Sequence, residues 1–455
     1  MLEGLEVSEV MLSEAIKDNE PKRIDSEYFK KKYLIEDKNR NQFQNLLLGD
    51  FSFITDGQHG YHEVDENSNI RHLTAKNAKS FFANDTDADR IAKWVDDNNK
   101  RSSLEVDDLI LSTRGTVGAC AIVGKEILPA NIDQDVARIK LTKNAVKHTV
   151  LATYINSEIG QDWIIRNQTG MVQQGIALWR VRQMPIPIFA DSLQNEIDNV
   201  ICNAKQKKEQ SQFLYRQAEE LLLETIGLKD FNPSEKGTNI KSFKESFLAT
   251  GRLDAEYYQT KYEDYIQLIK KYSGGFDLLQ TVCNLKDNNF TPEETKEYQY
   301  IELSDIGKSG NVTGCTFAQG IELPSRARRK INTNDVIISS IEGSLESCAL
   351  ITNDYDNALC STGFYVINSR VINSETLLVL FKSETMQNIL KQNCSGTILT
   401  AINKNEFLQI PVPLIDKAIQ EQISALISES FKLRRESERL LEEAKRAVEM
   451  EISKS

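Results

Sequence analysis

LQNEIDNVICNAKQKKEQSQFLYRQAEELLLET, residues 193–225, decides the fold because it occurs twice. In alternating steps of four and three it places Leu193, Ile197, Val200, Ala204, Lys207, Ser211, Leu214, Ala218, Leu221 and Thr225 on one line. Residues 419–451, IQEQISALISESFKLRRESERLLEEAKRAVEME, do the same with Ile419, Ile423, Leu426, Ser430, Leu433, Ser437, Leu440, Ala444, Ala447 and Glu451, each 226 positions further on. Both lines are mostly apolar or small, which is the seam of a coiled coil. The shared frame implies that the helix was duplicated together with what is attached to it.

Working outward, the repetition continues. Arg23-Ile-Asp25-Ser-Glu27-Tyr28-Phe29 answers to Arg252-Leu-Asp254-Ala-Glu256-Tyr257-Tyr258, and Leu104–Ser112 answers to Ile331–Ser339. Gly115 and Cys120 answer to Gly343 and Cys348, Gly170 to Gly396, Pro185-Ile-Pro187 to Pro411-Val-Pro413, and Gln194 to Gln420. The offset drifts only between 226 and 229, so this is a duplicated domain and not a short solenoid repeat. Each half predicts a short helical segment around its Arg-x-Asp-x-Glu-Tyr element. A buried strand follows (108–112, 335–339), then a Gly-containing loop and a return strand. One amphipathic helix follows (149–166, 375–391), then a polar loop, a Pro-x-Pro edge strand and the long helix.

The fold class expected is α+β: two duplicated mixed α/β globules separated by two long antiparallel helices, a coiled-coil spacer with pseudo-twofold symmetry. The boundaries read 1–189 and 229–414 for the globules, 190–228 and 415–455 for the helices. The small residues Ala204, Ser211 and Ala218 are expected to meet Ala444, Ser437 and Ser430 in reverse order, every pair of numbers summing to 648. A 33-residue helix is ~50 Å long, which suggests two heads on a rigid spacer. Such a frame suits a twofold target, and duplex DNA offers half-sites ~34–36 Å apart on one face.

Composition narrows the classes. No apolar run reaches the ~20 residues of a membrane span. The acidic N-terminus lacks the order of a signal peptide. Seven scattered cysteines without a Cys-x-x-Cys pair speak for a reducing cytoplasm and against zinc or disulfides. The formal charge of −12 lowers the expectation of nucleic-acid binding. The acid is uneven, however: residues 1–27 hold eight acids against three bases, and residues 84–108 eight against four.

The motifs resemble a known family. Thr55-Asp-Gly57-Gln-His59-Gly-Tyr61 followed by Ile70-Arg-His-Leu-Thr-Ala-Lys-Asn77 is similar to the opening of target-recognition domains in specificity subunits of type I restriction-modification systems. So are Leu109-Ile-Leu-Ser-Thr-Arg-Gly115-Thr-Val-Gly118 and the closing run from Thr169 through Pro185-Ile-Pro187 to Gln194. The second half departs from the pattern, with Asn288-Asn-Phe-Thr-Pro292 in place of an Asp-Gly-x-His and Glu342 where the first half has Arg114. The resemblance implies a non-catalytic subunit that binds a bipartite sequence in double-stranded DNA. It implies docking of two methyltransferase subunits on the helices, and restriction-translocase subunits in the full complex. No methylation motif and no phosphate loop occurs in the chain, so AdoMet, ATP and magnesium are expected on the partners.

Candidate contacts are each set against a plainer reading. Gln58, His59 and Tyr61 lie in a Gly-flanked loop, and Gln can read adenine; the alternative is an ordinary turn. His59 and His62 are too few for a metal site. Arg114 could reach guanine or phosphate, or form a surface ion pair. Thr116 and Ser344 lie in the two Gly-containing loops, and Gln173, Gln174 and Thr397 in the later polar loops. Arg326, Arg328, Arg329 and Lys330 form the densest basic cluster, read as phosphate contacts against the alternative of a solvated charge run. The competing function is a two-headed scaffold of a related phage-defence complex that binds proteins.

Overall fold

The computed structural model describes residues 9–16, 19, 23–60, 62–170, 174–234, 238–396 and 400–454. The chain divides into two compact units, Met1–Lys207 with Arg435–Ser455, and Lys208–Arg434. Among the described residues, no helix is long and apolar enough to cross a membrane.

The first unit is built on an antiparallel sheet of β1 (Ser52–Asp56), β2 (Leu109–Ser112), β3 (Cys120–Ile122) and β4 (Val136–Leu141), in the order β1-β4-β2-β3. The unbroken apolar run of β2 is buried on both faces, as such runs require. Its period of two sends Leu109 and Leu111 into a core with the helices and Ile110 into a second core. That second core lies against a smaller sheet in which Arg71–Leu73 runs parallel to Ala130–Ile132 and antiparallel to Asp89–Arg90.

The second unit repeats the plan. Strands β5 (Cys283–Leu285), β6 (Val336–Ser339), β7 (Cys348–Leu350) and β8 (Phe364–Ser369) pair in the order β5-β8-β6-β7. Val336 and Ile338 face the helical core and Ile337 the other. Its smaller sheet also has a parallel central pair, Glu297–Ile301 with Leu359–Ser361, flanked by Thr316–Gln319. It adds a fourth strand, Ala327–Lys330, that the first unit lacks. Both Pro-x-Pro strands lie in two-stranded sheets, against Asn45–Leu47 and Phe276–Leu278, where a missing N–H is tolerated.

Three expectations are corrected. First, each single amphipathic helix is a pair: α1 (His148–Asn156) and α2 (Glu158–Asn167), then in the second unit α4 (Ser374–Lys382) and α5 (Glu384–Gln392). Ser157 and Ser383 sit extended at the breaks and cap the following helices, accepting from Gly160 N and Met386 N. Second, the Arg-x-Asp-x-Glu-Tyr element is a turn that acts as a clasp. Arg23 holds Asp25 through both Nε and Nη2 at 2.7 Å and donates Nη1 to Arg166 O near the end of α2. Arg252 holds Asp254 likewise and donates to Cys394 O just past α5.

Third, the seam register differs. The long helices are α3 (Asp191–Thr225) and α6 (Lys417–Ser453). In the first unit Ser437 Oγ donates to Ala204 O at 2.7 Å, and Lys207 pairs with Glu436 at 3.0 Å, so the segments run antiparallel. In the second unit Ser430 Oγ donates to Ser211 O at 2.8 Å. The partners' numbers sum to 641 and not 648, a shift of one heptad. Ala204, Ser211, Ala218, Ser430, Ser437 and Ala444 are all buried. A seven-residue shift leaves the hydrophobic frame unchanged, so periodicity cannot choose between the registers. In the register found, both serine hydroxyls reach a carbonyl.

Candidate nucleic-acid interface

One end of the first unit is assembled from loops that are distant in sequence. Gly57 passes directly over the smaller sheet: a Cβ there would lie 1.7 Å from Ile132 O, so only glycine fits. Its N–H donates to Asp133 O at 3.1 Å, and Gln58 bridges to Asp133. Gln58 Oε1 accepts from Asn99 Nδ2 at 3.3 Å. His59 Nε2 lies 2.9 Å from Asp56 Oδ2. Arg101 ties the same loop by donating to Thr55 Oγ1 at 2.9 Å and pairing with Asp56 at 3.2 Å.

The loop after β2 joins this end. Thr113 N donates to Asp135 O at 2.8 Å, and the Arg114 guanidinium pairs with Asp135 Oδ1 at 3.1 Å. Arg114 also bridges to Gly175, next to the exposed Gln174. Gln58, His59, Arg114 and Gln174 are thus gathered around residues 133–135, and Thr116 is exposed on the same loop as Arg114. Tyr61 and Gln173 lie outside the described residues. Burial pushes the Asp133 carboxyl up to about 6. His62 turns away from His59: it lies 3.3 Å from Asp89 and its ring is 4.0 Å from that of His72. Among the described residues, no group of three His, Cys, Asp or Glu side chains could hold a metal ion.

Sequence reading missed Asn99, Arg101, Asp133 and Asp135. In the sequence Arg101 stands out only as one base within an acidic stretch. Asp135 precedes β4 by one residue and becomes visible only when β4 pairs with β2.

In the second unit the corresponding end carries other side chains. Ser340 N donates to Gly363 O at 2.9 Å, Ile402 N to Ser340 O at 2.8 Å, and Ile341 bridges to Ala401. These match Thr113 N to Asp135 O, Ile176 N to Thr113 O, and Arg114 with Gly175. Ile341, not Glu342, therefore stands where Arg114 stands, and Gly363 stands where Asp135 stands. The half-buried Ser344 hydroxyl is engaged within its own loop, 2.9 Å from Ser339 Oγ and 3.3 Å from Ile341 O. Thr397 lies outside the described residues.

The basic cluster is spread along the fourth strand. Arg326 O accepts from Thr362 N, which puts it at the loop end, while Lys330 pairs opposite Leu359 at the far end of the strand. Arg326 pairs with Glu302 at 2.9 Å. Arg328 donates to Ser325 O and Thr291 Oγ1, and Arg329 to Asp287 O and Asn289 Oδ1. Lys330 lies over the Phe290 ring. The pairing register shifts between Ala327 and Arg329, and each of the four cations has its own partners.

Comparison with known proteins now bears on this geometry. Residues 277–446 match the family model for the type I restriction modification DNA specificity domain, which covers most of the second unit and the greater part of α6. The HindI specificity subunit of Haemophilus influenzae is 26% identical over 164 residues, 35% of this chain and 34% of that protein. The EcoBI specificity subunit of Escherichia coli is 25% identical over 131 residues, 25% of this chain and 27% of that one. These matches span about a third of the relatives' length. The S subunit of a type I system from M. genitalium superposes over 90% of this chain and 94% of its own, at 12% identity and a TM-score of 0.39. Superpositions this loose say nothing about individual residues. The family match on the second half, and the same topology in the first, make this chain similar to the type I restriction-modification specificity subunits.

Proposed function

We propose that this chain selects the DNA sequence for a type I restriction-modification complex, each unit reading one half of a bipartite site. The observation that carries the reading is that one backbone frame recurs with different side chains at its loop end. Arg114 and Asp135 occupy the places of Ile341 and Gly363. A duplicated frame that keeps its hydrogen bonds and changes its exposed side chains suits two readers of unlike half-sites. The long helices are the proposed docking surface for two methyltransferase subunits, with restriction-translocase subunits joining the full complex. The chain itself is proposed to be non-catalytic and cytoplasmic, with AdoMet, ATP and magnesium held by the partners.

The net charge of −12 favours a second reading, a scaffold that binds proteins. The carboxylates at the first unit's loop end weigh less than their number suggests. Asp56 is held by Arg101 and His59, and Asp135 by Arg114. The test is to express the chain with a methyltransferase partner and map modified bases across the host genome. One bipartite motif, modified on both strands, is expected. A purified complex that adds no modification overturns the DNA reading in favour of the scaffold.

A further inference from the structure

Each unit presents at its loop end an exposed arginine that is tethered to a carboxylate and keeps donors over; Arg101, also tethered in the first unit, spends Nη1 on Thr55 Oγ1 and Nη2 on Asp56 and Gly57 O. Arg114 gives Nη1 to Asp135 Oδ1 at 3.1 Å, and among the described residues nothing bonds its Nε or Nη2. Arg326 gives Nη2 to Glu302 Oε1 at 2.9 Å and Nε to Tyr300 OH at 3.3 Å, with Nη1 left over. Both side chains are about half exposed, at 51% and 58%. The locations correspond in the fold. Glu302 and Asp305 form a capping box after the central strand of the smaller sheet, as Thr74 and Asn77 do in the first unit. Thr362, bonded to Arg326, adjoins Gly363, the counterpart of Asp135.

The two arginines nevertheless have unrelated origins. Arg114 comes from the loop after β2, where the second unit has Ile341. Arg326 comes from the entry to a strand that the first unit lacks. Two different scaffolds thus deliver the same device to the same end. A guanidinium held by a carboxylate at one edge has lost much of its rotamer freedom and keeps donors at the other edge. That fork matches guanine O6 and N7 in the major groove. A phosphate can accept the same fork, but it carries no sequence information, so the two contacts differ in whether losing the arginine relaxes one base position or weakens binding uniformly.

We infer that Arg114 and Arg326 are the guanine readers of the two units, oriented by Asp135 and Glu302, so that each half-site contains a guanine that one arginine specifies. The inference rests on the DNA reading proposed above.

The test uses the chain in complex with its methyltransferase partner and compares the modified-base motif of variants. Arg114→Ala and Arg114→Lys are expected to relax one guanine position in one half-site, with discrimination falling roughly 5- to 150-fold and the other half unchanged. Arg326→Ala and Arg326→Lys do the same in the other half. Asp135→Asn and Glu302→Gln relax the same two positions by less, the signature of positioning residues. The lysine variants keep the charge and lose the fork, so a lysine variant that retains the full motif overturns the inference. So does uniformly weaker modification with no change of motif, which marks a phosphate contact. A wild-type motif with no guanine in one of its halves also overturns it. A wild-type complex that modifies nothing defeats the DNA reading itself, and the inference falls with it.

Discussion

At one equivalent point the first unit has Arg114 paired with Asp135, and the second has Ile341 packed beside Gly363, where a Cβ would come within 3.3 Å of Ile341 Cδ1. The backbone hydrogen bonds around both points are the same. A frame fixed by main-chain pairing leaves its exposed side chains free to change, and here an ion pair has been exchanged for an apolar contact. The buried acids show a related freedom. Asp108 and Asp335 both precede the central strand and are both buried. Asp108 is answered by Arg138 from β4 at 2.7 Å, and Asp335 by Lys286, just past β5. The carboxylate belongs to the frame, while the cation comes from whichever strand supplies it.

The comparison can be broken in several places. The largest effect is expected at the glycines. Gly57→Ala drives a methyl into the Ile132 carbonyl, a rigid obstruction, and should exceed the ~1–3 kcal/mol of ordinary overpacking, abolishing the first unit's thermal transition. Gly343→Ala, with nothing within 4 Å of its Cβ, should shift the second unit's transition little. Next come the buried acids. Asp108→Asn removes the buried partner of Arg138, which keeps Glu105 at 3.0 Å and Arg101 O at 3.1 Å, and should cost ~1–3 kcal/mol in chemical denaturation. Asp335→Asn should cost less, because Lys286 is 27% exposed and can reach water.

Smaller effects test the seam. Ser437→Ala and Ser430→Ala should each cost ~1 kcal/mol by removing one hydroxyl-to-carbonyl bond. An Ala204→Cys, Ser437→Cys pair should oxidise readily. An Ala204→Cys, Ala444→Cys pair should not, since it belongs to the register one heptad away.

The smallest effect separates the units by pH. His72 is buried, neither ring nitrogen has a hydrogen-bond partner, and burial depresses it to about 4. Its folded value lies below the ordinary 6.5, so the neutral form is favoured in the fold. Its contribution is complete above pH 6.5 and is lost progressively as pH falls toward 4. The second unit has Tyr300 in the matching strand position, and all four histidines of the chain lie in the first unit. His72→Tyr should therefore flatten the acid side of the first unit's stability profile and leave the second unit's profile unchanged.

Much of this architecture was legible in the residues. The 226-residue offset located both halves, and the apolar runs of β2 and β6 located the buried strands. The helix breaks at Ser157 and Ser383 were not legible, because the apolar pattern runs on across them. The register of α3 on α6 is invisible to periodicity. At the loop ends, Gln58, His59 and Arg114 could be picked out by their glycine-flanked loops. Arg101 and Asp135 could not, since they reach their partners only through tertiary pairing. The alignment of Arg114 with Glu342 slipped by one residue because the two loops differ in sequence and only their hydrogen bonds agree.

The central claim is that the two units read separately. The most direct measurement replaces residues 1–189 with the matching half of a type I specificity subunit and maps the modified motif with the same methyltransferase partner. The account predicts that one half-site changes while the other half and the spacing between them stay as they were. A motif that changes in both halves, or in neither, contradicts it.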